Sequence, residues 1–282
     1  TQGLQRLIEI FDARKKPSSP KMEIHLNKEH NNEKAARVLA EKIKEVTVKD
    51  IASEIDLDFT NKRIEIKIDK NGLRQTHTNV STIVERLNEY GFKVKEKGES
   101  IIMNVDEESF KDIYQMKEKL KDTKISGVKG VKQILIVKRG ADYIIITLGT
   151  NLKSIFEFKE VNTHKTISND LHEIGEVLGI EAARQLIIDE IYEVIRPQGL
   201  DIDERHLKFV SDAMTNTGTV KGVTRIGIIA QKSSILARAT FETPVKQFVQ
   251  ASIKGGKDKL ASVIENIILN QPVPVGTGLP GL

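Results

Sequence analysis

The hexapeptide Arg63–Ile68 reads R-I-E-I-K-I, with Ile64, Ile66 and Ile68 separated by charged residues. A period of two puts the three isoleucines on one face and the charges on the other, so the segment can bury one side only as a strand. Met22, Ile24 and Leu26 repeat the alternation, and Ala36, Leu39, Ala40 and Ile43 then follow helical spacing across 33–45. The turn signal DKNG (69–72) ends the isoleucine strand. A helix over 80–90, stopped by Gly91, precedes a hairpin over 92–105 that turns at Lys97-Gly98. A further helix over 107–121 carries Phe110, Ile113, Tyr114 and Leu120, placed for packing. Strand, helix, hairpin and helix in this succession predict a small α+β module.

A second hairpin spans 131–148 around Arg139-Gly140-Ala141-Asp142, and beyond it the pattern turns helical. Ser168 is a candidate cap for a helix with Leu171, Ile174 and Leu178 on its apolar face and Gly179 as its stop. The next helix, from about Glu181, carries Ala183, Leu186, Ile187 and Ile191 and ends at Pro197–Gly199. Asp203 caps a third, bearing Leu207, Val210 and Met214. Thr243-Pro244 opens a fourth, closed by Gly255-Gly256. At the start, Leu4, Leu7, Ile8 and Phe11 predict a helix that must end before ARKKPSSPK (13–21), whose prolines forbid its continuation. Taken alone, residues 1–21 read as a surface helix and a solvated basic linker.

Charge is concentrated in one place. From Ala213 to Lys246 the bases Lys221, Arg225, Lys232, Arg238 and Lys246 face a single acid, Glu242, so the segment's excess of +4 equals that of the whole chain. Gly218, Gly222 and Gly227 fall among these charges. Glycine lets a backbone turn sharply and approach a ligand closely, and basic side chains beside exposed N–H groups suit phosphate. The bland alternative is a surface hairpin with incidental lysines.

Several chemistries are excluded or weakened. The absence of cysteine rules out disulfides, thiolate metal sites and cysteine nucleophiles. No apolar run approaches 18 residues and no signal-peptide pattern opens the chain, so a cytoplasmic protein with no membrane partner is expected. His25, His30, His77, His164, His172 and His206 show no metal-ligand spacing, and the carboxylates form no D-x-D cluster for magnesium. GTGLPG (276–281) matches a dinucleotide pattern literally, but a proline interrupts it and no helix follows. No catalytic and no metal-binding residue is therefore assigned.

RHL (205–207), DAMT (212–215), TRIG (224–227) and ARATFET (237–243) resemble the C-terminal part of the largest subunit of multisubunit RNA polymerases, in particular the separate A-double-prime fragment of archaeal enzymes. The phrases at 168–184 and 262–278 agree in order and spacing. The resemblance covers nearly the whole chain and is strongest from Thr163 onward. It implies a multisubunit assembly in which this chain supplies an α+β jaw module and a mainly helical cleft and switch body. The expected divisions are a post-trigger-loop helix, linker and cleft segment (1–57), a jaw-like module (58–128), cleft wall (129–217), switch region (218–243) and a C-terminal helical segment packing on partner subunits (244–282).

The reaction implied is template-directed nucleotidyl transfer by a DNA-directed RNA polymerase. The family's aspartate triad, NADFDGD, is absent here, so magnesium belongs to a partner chain, no cofactor is expected in this one, and the isolated chain is expected to be inactive. Implied partners are the N-terminal fragment of the largest subunit, the second-largest subunit, small jaw-binding and omega-like subunits, template DNA and the DNA–RNA hybrid. The family's trigger loop corresponds to sequence upstream of Thr1, and a first residue other than Met points to a processed, truncated or spliced product.

Within the switch resemblance, Arg225 is the leading candidate for a template phosphate, since a guanidinium can grip phosphate with two parallel hydrogen bonds. Lys221 and Gly222 accompany it. Ile226 stands where the family has a histidine or aromatic, so stacking from that position is not expected. Arg238 matches a family arginine but serves equally well to neutralise Glu242. The competing reading is a free-standing basic adaptor for nucleic acid or protein. The apolar run Val263–Leu269 argues against it, because such a run implies burial against another surface.

Overall fold

The alternation of Met22, Ile24 and Leu26 is realised in β1 (Lys21–His25) and the residue beyond it, with Met22 and Ile24 fully buried. The structure, a computed structural model, describes residues 3–58, 63–69, 80–90, 92, 94–97, 100–104, 110–241 and 243–279. The turn residues 70–72, Gly91, Gly98, the start of the helix predicted from 107, Glu242 and the last residues of GTGLPG lie outside them. Contacts divide the chain into two units: Thr1–Ser18 with Asn169–Leu282, and Ser19–Ser168. Both sheet and helix contribute, as an α+β chain requires.

The unit formed by Ser19–Ser168 holds two four-stranded sheets. In the first, β1 lies between β9 (Asp142–Leu148) and β10 (Ile167–Ser168), antiparallel to both, and β8 (Gln133–Arg139) pairs with β9. Arg139 and Asp142 are register partners across a two-residue turn in which Gly140 takes φ +64°. At the end of β9, Gly149 adopts φ +110°, and its N–H donates to Pro20 O at 2.8 Å. A Cβ there would stand 1.8 Å from Gly130 O, so only glycine fits. Helix α2 (Glu33–Ile43) buries Ala36, Leu39 and Ile43, as its spacing predicts. Two short elements, β2 (Val46–Thr47) and α3 (Val48–Ile51), lead on, and β2 pairs with β7 (Lys124–Ser126).

The second sheet has the order β3 (Ala52–Asp58), β4 (Arg63–Ile68), β6 (Ser100–Asn104), β5 (Val94–Lys97), every pair antiparallel. Ile64 and Ile66 of β4 join Ile101 and Met103 of β6 in a core completed by Ile83 and Leu87 of α4 (Val80–Glu89) and Ile113 and Leu120 of α5 (Phe110–Lys121). Burying each such side chain is worth about 1.5–3 kcal/mol. Tyr114 does not join them. One residue on from Ile113 turns it about 100° round the helix, and it is 56% exposed, with Lys117 Nζ 6.0 Å above its ring.

The other unit is helical. Its elements, following the one-turn α6 (Leu152–Ile155) of the first unit, are α7 (Leu171–Val177), α8 (Ile180–Ile195), α9 (Glu204–Thr215), α10 (Ile235–Phe241), α11 (Pro244–Lys254) and α12 (Val263–Ile268), with α1 (Leu4–Phe11) packed among them. The cap of α7 is Asp170, whose carboxylate accepts from His172 N at 3.0 Å and Glu173 N at 3.2 Å. Ser168 is instead buried in β10 opposite Met22, so strand pairing claims the residue the local sequence offers as a cap. Leu178, beyond the last turn of α7, is exposed rather than part of its apolar face. Asp203 caps α9 as expected, accepting from Arg205 N at 2.8 Å.

Helix α1 lies at the surface, as expected, but buries a face that carries charge. Leu4 and Ile8 are exposed, whereas Ile10, Arg6 and Glu9 are buried. The Arg6 guanidinium donates to Glu190 Oε2 at 2.7 and 3.0 Å, to Glu9 Oε2 at 3.2 Å and to Asn169 O at 2.8 Å. One cation thus serves two carboxylates and a carbonyl in a dry setting. Glu9 also accepts from the Ser18 hydroxyl.

Candidate nucleic-acid interface

The basic segment after α9 is a folded-back loop, with no strand and hence no hairpin in it. Lys221 N donates to Met214 O at 2.9 Å, tying the loop to the last turn of α9, and Val223 N donates to Phe11 O at 2.6 Å. Between these anchors sits Gly222, buried, where a Cβ would come within 2.5 Å of Asp12 O. Gly222 O in turn accepts Ile228 N at 3.0 Å. Gly227 faces this carbonyl so closely that a Cβ would stand 2.0 Å from it. Neither glycine has a positive φ; that conformation belongs to Gly218, at +77°. The two glycines therefore permit backbone to cross backbone, rather than freeing the chain on either side of Arg225.

This crossing forms the base of a tight turn. Gly227 N donates to both Thr224 O and Thr224 Oγ1 at 3.1 Å, which makes Arg225 and Ile226 the two central residues of a β-turn. Ile226 is 84% exposed and Arg225 is exposed beside it. The sequence places a basic side chain at the tip of a hydrogen-bonded turn, with Lys221 half-buried at its root. Arg238 lies on α10, its Nε directed to Ser234 O at 3.3 Å. Lys221, Gly222 and Arg225 thus share one loop, and Arg238 belongs to the following helix.

The residue that holds this following helix escaped sequence reasoning. Asp258, from the segment between α11 and α12, accepts from Ser234 Oγ and Ile235 N at 2.8 Å and from Leu236 N at 3.0 Å through Oδ2. Its Oδ1 accepts Leu260 N at 3.1 Å. No local pattern announces a cap that arrives from 23 residues away. Burial pushes the Asp258 carboxyl up, but the donors from Leu236, Leu260, Ser234 and Ile235 together hold it below the ordinary carboxylate value.

A folded-state value below the unfolded one adds stability above the unfolded pKa, about 3.9 for aspartate, and loses it as pH falls through the folded value. The stability difference between the parent chain and Asp258→Asn should therefore be full at neutral pH and shrink as the pH drops below about 4. Urea midpoints measured across that range check this. A difference independent of pH would contradict it.

Beyond α10 the surface becomes apolar. Val245, Phe248, Val249 and Ile253 of α11 are exposed, as are Val263, Ile264, Ile267, Ile268 and Leu269 at α12, the run expected to need a covering surface. Among the described residues no His/Cys/Asp/Glu group could hold a metal, and no helix is long and apolar enough to cross a membrane.

The family model described as RNA polymerase Rpb1, domain 5 matches residues 1–236. The DNA-directed RNA polymerase subunit Rpo1C of Methanocaldococcus jannaschii is 39% identical over 280 residues, which are 99% of this chain and 33% of that protein. The chain belongs to the RNA polymerase Rpb1, domain 5 family. It spans about a third of the length of that relative.

Proposed function

We propose that the chain is the C-terminal portion of the largest subunit of a DNA-directed RNA polymerase, a nucleotidyltransferase, and that it shapes the cleft and grips template DNA while a partner chain holds the catalytic magnesium. The observation that carries this reading is the relative named as a polymerase subunit, aligned with 99% of the chain. The exposed Arg225 turn supports the template contact, and the uncovered apolar faces of α11 and α12 suit other polymerase subunits. In this reading the second sheet with α4 and α5 corresponds to the jaw, the helices α7 to α9 to the cleft wall, and the Lys221–Arg225 loop with Arg238 to the switch.

The turn does its work by presenting charge without mobility. Its base is locked by the Gly222–Gly227 crossing, so little conformational freedom is lost when Arg225 meets a phosphate. Arg225→Ala should weaken grip on DNA about tenfold or more, as loss of a hydrogen bond to a charged group implies. The loss should be nearly equal for every template sequence, and the log–log salt slope should fall by about 1. Arg225→Lys should recover part of the binding. Open-complex lifetimes of the reconstituted enzyme across a salt series decide the matter, and an unchanged lifetime in a normally assembled Arg225→Ala enzyme would exclude the contact.

A further inference from the structure

A helix ends with four carbonyls that its own hydrogen bonds leave unmet. In α1 the residues that follow close three of them: Asp12 N donates to Ile8 O at 2.8 Å, Arg14 N to Glu9 O at 3.2 Å and Ala13 N to Ile10 O at 3.0 Å. The last two bonds make the left-handed close of a helix, with Ala13 at φ +47° where glycine is usual. A residue with a side chain keeps that conformation only where its surroundings enforce it. One such contact falls on Ala13 itself, whose carbonyl oxygen lies 2.9 Å from His172 Nε2. A carbonyl can only accept, so Nε2 carries the proton. His172 is half-buried in the first turn of α7, where its own N–H donates to Asp170 Oδ1 at 3.0 Å.

The fourth carbonyl, Phe11 O, receives its donor from the loop that carries Arg225: Val223 N, at 2.6 Å. Gly222 packs on the same backbone, and a Cβ there would stand 2.5 Å from Asp12 O and 2.9 Å from Phe11 O. We propose that the end of α1 is the seat that positions Arg225 on its template phosphate, and that His172 is a positioning residue acting on this contact through Ala13. The tie of Lys221 N to Met214 O alone would leave the loop free to swing about one point. The second tie, at Val223, lies two residues before Arg225 and fixes the direction in which the turn projects. Helix α1 is itself held against sliding, because Arg6 is bonded to Glu190 and to Asn169 O. His172 thus reaches the turn through two backbone links, Ala13 O and Phe11 O.

This positioning role rests on the reading of Arg225 as a template contact, and one set of variants separates the two. Open-complex lifetime and its salt dependence are measured in the reconstituted enzyme for Gly222→Ala, His172→Leu, His172→Gln and Arg225→Ala. Gly222→Ala removes no charge. By pushing the loop off α1 it should still weaken grip as much as Arg225→Ala, about tenfold, and lower the log–log salt slope equally, by about 1. A role in stability alone would leave that slope in place. Combining Gly222→Ala with Arg225→Ala should cost no more than Arg225→Ala alone, because one contact can be lost only once. His172→Leu should weaken grip about twofold or more. His172→Gln, whose amide N–H can donate in place of Nε2, should recover most of that loss. Additive losses in the double variant, or a parent-like slope in both Gly222→Ala and His172→Leu, overturn the proposal while the template contact stands. If Gly222→Ala does not assemble, the His172 pair decides, and equal grip in the Leu and Gln variants overturns the proposal. An Arg225→Ala enzyme with parent-like lifetime and slope overturns the template reading and this positioning role with it.

Discussion

Arg6→Ala should lower the unfolding free energy of the helical unit by about 3–5 kcal/mol, because it removes the buried cation that Glu190 and Glu9 share, leaving Glu9 only the half-exposed Arg14 at 3.8 Å. The Arg6, Glu9 and Glu190 side chains are 8%, 4% and 13% exposed, so water cannot replace the lost donors. The argument is about leaving partners stranded, and it predicts a rescue. Glu190→Gln introduced into Arg6→Ala should recover part of the loss, since it removes one uncompensated charge. Arg6→Lys should fall between parent and alanine, because one ammonium cannot reproduce the four hydrogen bonds that the guanidinium fork makes to three acceptors. Native-state hydrogen exchange of amides in α1 and α8 gives the measurement. A change below about 1 kcal/mol in Arg6→Ala would place the cluster with exposed pairs, which contribute little.

Gly149→Ala should be comparably severe in the other unit. Two penalties coincide there: a φ of +110° that side chains rarely adopt, and a Cβ position 1.8 Å from the Gly130 carbonyl oxygen. Strain of the first kind costs about 1–3 kcal/mol, and overpacking against a backbone that must move adds about 1–3 kcal/mol. The end of β9 and its bond to Pro20 should loosen together. Gly140→Ala is the natural control, since its φ is +64° but nothing lies within 4 Å of the added carbon. It should show the conformational part alone, about 1 kcal/mol. Equal losses at the two positions would mean that the close approach to Gly130 carries no weight.

The elements legible in the sequence are those whose period is enforced by a core that they themselves fill. Ile64 and Ile66, or Ala36, Leu39 and Ile43, announce both the type of element and its buried face. Strand β3 was not legible, because Ser53, Glu54, Asp56 and Asp58 dilute its pattern and only its pairing with β4 makes it a strand. Ser168 and Asp170 are both acceptable caps locally, and a register with Met22 that no short window contains decides between them. The burial of Arg6 was hidden for the same reason, since Glu190, which accepts from it, lies 184 residues further on.

At the candidate site the residue types were readable and the geometry was not. Arg225 stood out by charge, and its place at a turn tip agrees with that reading. The glycines beside it suggested pliancy, whereas close backbone approach makes them a fixed pivot. Asp258 gave no signal of comparable strength, because capping from a distance is a property of the folded surroundings.

The pairing of Met22 with Ser168 has a consequence for how such a gene can change. The first strand of Ser19–Ser168 and its last are neighbours, so Met22 and Ser168 stand about one inter-strand spacing, or roughly 5 Å, apart. Everything coded between those strands is a cassette whose two splice points already lie side by side. Lengthening, trimming or exchanging it leaves the flanking reading frame with the same short gap to bridge, so the helical scaffold can be inherited intact while the inserted portion diverges.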